Sequence, residues 1–127
     1  PFSVEESRNI FVTNPKNLSL EEMFRLALTH TPGSETYNKI FMTAVQLFPD
    51  NPVANLNAAC ISLMQRDVKS AGHYLEKAPE VPETALAKGV LYLLKNQYEE
   101  AESFFRQAKA AGLSQADDNL KRILELK

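Results

Sequence analysis

The 127-residue chain is 44% hydrophobic and 24% charged, the balance of one domain with a core and a wet surface rather than of a disordered tail. Its 14 basic and 16 acidic residues leave a net charge of -2, and no run of Lys and Arg is longer than two, which excludes a nucleic-acid footprint and a polybasic membrane patch. No apolar run approaches the roughly 20 residues needed to span a bilayer, nothing at the start reads as a signal peptide, and a single cysteine, Cys60, excludes an internal disulfide framework.

Taken in chain order, the patterning predicts eight helices and no strand. The chain opens with Pro1, as a processed chain or an excised segment would. Ser3 with Glu6 has the Ser-x-x-acid capping pattern and starts a leading helix that runs to Val12. After the break "TNPKN", Ser19 with Glu22 starts a second, with Leu20, Phe24, Ala27 and Leu28 at helical spacing. "THTPGS" and "FPDNP" bound a third helix, and Asn51 with Asp50 caps a fourth that begins at Pro52, where a missing N–H is tolerated. "QRD" separates the fourth from the fifth, "APEVP" leads to a sixth beginning at Pro82, and "KNQ" introduces a seventh that places Tyr98, Ala101, Phe105 and Ala108 on one face. Following "AAGLS", Ser114 with Asp117 starts a closing helix to Leu126, apolar at Leu120, Ile123 and Leu124 and charged at Asp118, Lys121, Arg122 and Glu125. Acidic pairs at Glu5/Glu6, Glu21/Glu22, Glu99/Glu100 and Asp117/Asp118 all fall in first turns, where they meet the helix dipole; that assigns them a structural role.

The chain also repeats. "SAGHYLEKA" lies over "EAESFFRQA", with Ala71 on Ala101, Leu75 on Phe105 and Ala78 on Ala108, and Ala59 falls on Gly89 at the same offset. An earlier unit places Phe41 and Ala44 ahead of Leu75 and Ala78 by one slightly longer period, but carries Arg25 and Tyr37 where small residues are expected. Small residues at these positions let helices approach closely, so that each helical pair buries its apolar face on the next. On these residues the chain resembles the tetratricopeptide repeat (TPR) family, whose unit of about 34 residues is a helix–turn–helix. It departs from that pattern in having no Trp, in Ser62 where Tyr is usual, and in a second unit about four residues short at "APEVPE". The resemblance implies an all-α, right-handed superhelix: a leading helix within 1–17, repeats at 18–51, 52–81 and 82–113, and a closing helix at 114–127. That last helix is either a cap or the first helix of a fourth repeat.

Reactive chemistry is sparse. His30, His73 and Cys60 have no zinc spacing, and the repeat register places Cys60 on an inner face and His73 on an outer one, against a nucleophile–base pair; Cys60 reads as a buried or groove-lining thiol. Gly33, Gly72, Gly89 and Gly112 make no phosphate loop, and Ser19 of the glycosylation-like "NLS" is better used as a cap. The expectation is a non-enzyme with no cofactor and no metal. The TPR resemblance implies that first-helix positions line a concave groove: Leu26 and His30, then Val53, Leu56, Asn57, Cys60, Leu63 and Met64, then Leu86, Val90, Leu93 and Leu94. TPR domains that grip a partner's C-terminal carboxylate carry Lys, Asn and Arg on this face; Glu22, Leu26, Asn57 and Cys60 stand there instead, so that clamp is not expected. An apolar groove suits a hydrophobic peptide or an amphipathic helix from a protein partner, with no nucleic acid and no membrane insertion. The alternative is a structural spacer or self-association module whose face is covered by its own leading segment or by a second copy. The order of "LSLEEMF", "YNKIFMTAVQLFPDNPVANLNAA", "AGHYLEKA" and "AKGVLYLLKNQYEEAESFFRQAKAAG" also resembles the C-terminal repeat segment of Gram-negative envelope proteins that carry an OmpA-like peptidoglycan-binding domain. That implies a periplasmic or cell-envelope module engaged in envelope or surface-appendage assembly, with a cytoplasmic location left open.

Overall fold

A computed structural model describes residues 2–127, and among these the chain is all helix and turn: α1 (Val4–Thr13), a 3-10 turn (Pro15–Asn17), α2 (Leu20–Ala27), α3 (Glu35–Leu47), α4 (Pro52–Met64), α5 (Val68–Leu75), α6 (Pro82–Leu94), α7 (Tyr98–Ala110) and α8 (Gln115–Leu126). No helix among the described residues is long and apolar enough to cross a membrane. Each helix packs on its neighbours in sequence, most extensively α6 on α7 and α4 on α5, then α7 on α8 and α2 on α3, and α4 also meets α6.

The starts of the helices follow from side-chain chemistry. Ser3 Oγ accepts from the Glu6 N–H at 3.1 Å while the Ser3 N–H donates to Glu6 Oε1 at 3.0 Å, and Ser19 with Glu22 repeats the box at 2.9 and 3.1 Å. Glu22 does more, because its Oε2 also accepts from the Phe2 N–H at 3.0 Å and so ties the leading segment to α2. These backbone donors, from Ser19 first and Phe2 next, hold the Glu22 carboxyl below its ordinary range. Asn51 caps α4 through the Ala54 N–H at 2.9 Å; Asp50 does not cap and instead pairs with Lys77 at 3.1 Å. Ser114 is a correction. Its backbone is already helical (φ -65°, ψ -23°) and its hydroxyl caps nothing, because an N-cap side chain reaches back to the N–H groups only from an extended conformation. Asp117 lies 2.9 Å from Lys109 instead.

The ends of three helices share one backbone device. Arg66 and Asn96, thirty positions apart, both take left-handed conformations (φ 59° and 62°). Around them Asp67 donates to the Ser62 carbonyl at 2.8 Å and Gln97 to that of Tyr92 at 2.9 Å, each five residues back. Gly112 (φ 100°) closes α7 the same way, with Leu113 donating to Ala108 at 3.0 Å. This is the six-to-one closure of a Schellman turn. Asn and Gly tolerate the left-handed region; Arg66 does so at a cost of about 1–2 kcal/mol.

The core runs along the stack in linked clusters. Leu18, Met23, Leu26, Ile40 and Phe41 are buried where α2 and α3 meet, with Ile61 reaching in from α4. Ala59, Leu63, Ala71, Leu75, Ala87 and Leu91 join α4, α5 and α6. Ala101, Phe105, Ala108, Ala116 and Ile123 join α7 to α8. Gly89 marks the closest approach: a Cβ there would lie 2.5 Å from the fully buried ring of Phe105. The apolar face predicted for α8 is covered only in part, since Ile123 is buried and Leu120 half-buried while Leu124 is exposed.

Candidate protein-binding surfaces

The predicted groove residues separate into two groups. Leu26 and Leu63 are core residues, at 2% and 8% exposure, and are not available to a ligand. Leu56, Val90 and Leu94 are half-buried and pack against the α4–α5–α6 cluster; Leu86, Leu93 and again Val90 pack against the cluster of α7 and α8. His30 and Asn57 are half-buried. Val53 (47%), Met64 (61%) and Cys60 are the open ones. At about 100° per residue, Val53, Asn57, Cys60 and Met64 fall within about 60° of one another around α4, along a strip about 16 Å long. Leu56 and Leu63 lie some 60–80° to one side by the same arithmetic, which turns them into the interface with the next helices. Of the groove residues Leu56, Leu63, Val90 and Leu94, Leu63 is core and the other three are half-buried against it, and the exposed apolar line is the one beside them.

Met64 closes one end of that line, its Cε lying 2.9 Å from where a Cβ at Gly33 would stand, against the turn between α2 and α3. Cys60 is open at the surface, not buried, yet the protein around its thiol pushes it up from the ordinary cysteine value, which keeps it protonated and weakly nucleophilic at neutral pH. His73 sits exposed on α5 with its ring 5.8 Å from that of Tyr74. Among the described residues no three His, Cys, Asp or Glu side chains gather where they could hold a metal ion.

A larger concavity, about 1170 Å³, lies between α5, α6 and α7. Its wall carries Thr84, Lys88, Leu91 and Tyr92 of α6 and Lys95 at the C-cap of that helix; at helical spacing Thr84, Lys88 and Lys95 stand about 120–180° round from Leu86, Val90 and Leu93. The cause is legible in the chain. Helix α5 is eight residues long against thirteen in α7, and the connector that follows it, short in "APEVPE", leaves the back of α6 uncovered. Tyr92 stacks on Phe104 (centroids 5.5 Å apart, planes 10° apart), Lys88 lies over the Phe104 ring at 5.8 Å and Lys95 over that of Tyr92 at 5.6 Å. The predicted groove residues of α6 do not include this face; the signal for it in the sequence is the short span "APEVPE" between α5 and α6. Searches of protein-family models and of curated proteins gave no match for the chain.

Proposed function

We propose that the chain is a non-catalytic protein-interaction scaffold of three TPR-like repeats wound as a right-handed superhelix, and that the exposed face of α4 is its docking surface. The observation that carries this is the alignment of Val53, Cys60 and Met64, exposed in register along one helix face, where an isolated exposed apolar residue would mean little. The repeated left-handed turns at Arg66 and Asn96 and the close contact of Gly89 with Phe105 support the repeat reading independently of the side-chain alignment. The ligand is a protein segment with an apolar side, most simply an amphipathic helix laid along the strip. The resemblance to envelope-protein repeat segments supports a place in the periplasm or cell envelope, in assembly of envelope or appendage components.

The test uses a phage-displayed random peptide library selected on the intact chain. Selected peptides should have an apolar face, and Val53→Asp with Met64→Asp should weaken them at least tenfold, because the new carboxylates must be desolvated on binding. Both positions are open, so thermal stability should move by no more than about 0.5 kcal/mol. Recovery of no peptide, together with self-association that the same variant abolishes in sedimentation experiments, would replace the scaffold by a spacer that packs on its own copies.

A further inference from the structure

The concavity behind α6 is a second surface, on the side of that helix opposite the predicted groove residues, and it has the chemistry of a specific site. Its three lysines, Lys69, Lys88 and Lys95, have no carboxylate within ion-pair distance among the described residues, although Glu76 and Glu80 line the same concavity. Lys88 and Lys95 are held over aromatic rings instead, which places the ammonium groups and leaves their remaining donors free. Thr84 lines the same space at 4% exposure, and its hydroxyl has no hydrogen-bond partner; a buried hydroxyl left so is costly unless something completes it.

We propose that this concavity binds an extended acidic segment of a protein partner, in polyproline II conformation, with two carboxylates three residues apart. Lys88 on α6 and Lys95 at its C-cap are seven residues apart, about 10.5 Å along the axis. A polyproline II chain advances about 3.1 Å per residue with three residues per turn, so acids at i and i+3 share one side about 9.3 Å apart, a separation two flexible lysines accommodate. The stacked Tyr92 and Phe104 give the aromatic wall on which such chains rest. Glu76 and Glu80, presented by α5 and its connector, favour a peptide over a nucleic-acid backbone, because they can accept from the N–H groups of an extended chain, donors that a phosphate backbone lacks.

The probe is fluorescein-labelled Pro-Pro-Glu-Pro-Pro-Glu-Pro-Pro, titrated with the whole chain by fluorescence polarisation. Saturable binding is expected, at least tenfold weaker for Lys88→Gln with Lys95→Gln. A peptide of the same charge with adjacent acids, Pro-Pro-Pro-Glu-Glu-Pro-Pro-Pro, should also bind at least tenfold more weakly. On the unmodified chain, raising salt from about 0.01 M to about 1 M, which shortens the Debye length from about 30 Å to about 3 Å, should weaken binding at least tenfold whatever the variants do to folding. Absence of binding, or equal binding of the two peptides, overturns the proposal, as does lysine-dependent capture of a single-stranded oligonucleotide in place of the peptide. Peptides selected on the α4 face should be indifferent to the lysine changes, which keeps the two surfaces separable.

Discussion

Phe105→Ala is expected to cost about 3–5 kcal/mol, the usual loss for a fully buried aromatic ring, and to lower the melting temperature by upward of about 10 °C. Phe105 has no exposure and lies in the cluster that joins α7 to α8, while its ring edge fills the space left by Gly89 on α6. One side chain therefore couples three helices. The partner substitution separates this from a generic cavity. Gly89→Ala would gain about 1 kcal/mol of helix propensity, but its Cβ would stand 2.5 and 2.6 Å from two ring carbons of Phe105, and overpacking of about 1–3 kcal/mol outweighs the gain. In a Phe105→Leu background that penalty should shrink, giving a coupling of more than about 0.5 kcal/mol in a double-mutant cycle read by denaturant unfolding. Additive losses, or a Gly89→Ala variant as stable as the parent, would show that α6 and α7 do not meet at this pair.

The fold was legible because its punctuation is local. Pro52 and Pro82 begin α4 and α6 as first helical residues should, and the two capping boxes at Ser3 and Ser19 form as their spacing demands. The cap expected at Ser114 fails for a reason that sequence spacing does not carry. The left-handed closure at Gly112 delivers the chain to Ser114 already in helical conformation, so the pattern of residues is right and the dihedral is wrong. Arg66 hid a shared turn in the opposite way: a residue with no preference for positive φ occupies it, and only the backbone relates it to Asn96 and Gly112.

The surface was less legible, because a helix changes face within a single residue. Leu56 and Asn57 are adjacent, yet Leu56 packs into the α4–α5–α6 cluster while Asn57 shares its side of α4 with Val53 and Cys60. An apolar run such as "GVLYLL" has the same ambiguity on α6: Val90 and Leu93 pack against the α7–α8 cluster, Leu91 is core of the α4–α5–α6 cluster, and Tyr92 packs on the α7–α8 cluster while also lining the concavity. Composition reports that all of these are apolar; only the positions of the neighbouring helices decide which are covered. The shortness of α5 and of the connector after it is a property of length rather than of residue type, and its consequence appears once α5 is seen to end at Leu75.

Asn55 carries the second large effect, and pH makes it specific. Its side chain is 2% exposed, and its amide nitrogen donates to the Pro49 carbonyl at 3.0 Å and to that of Asn51 at 2.8 Å, fastening the turn between α3 and α4. Asn55→Asp removes the donor and faces a carboxylate with two carbonyl oxygens, so a loss of about 3–5 kcal/mol is expected near neutral pH, as for a buried charge without a partner. Asn55→Ala only leaves the carbonyls unpaired and should cost about 1–3 kcal/mol. Desolvation and the carbonyls both disfavour the charged form, so the folded pKa of the new carboxyl rises above its unfolded value of about 3.9. A raised folded pKa means that the neutral acid, which can still donate to one carbonyl, is present below the unfolded value, and that stability is lost as pH rises through the folded one. The parent has its own, opposite slope: hydrogen bonds hold the Glu6, Glu22, Asp67 and Glu102 carboxyls low, so their contribution fades as pH falls. The informative quantity is therefore the difference between variant and parent at each pH, measured by urea unfolding. That difference should narrow towards acid for Asn55→Asp and stay flat for Asn55→Ala; equal, pH-independent losses for both would mean that water reaches the turn and that Asn55 does not fasten it.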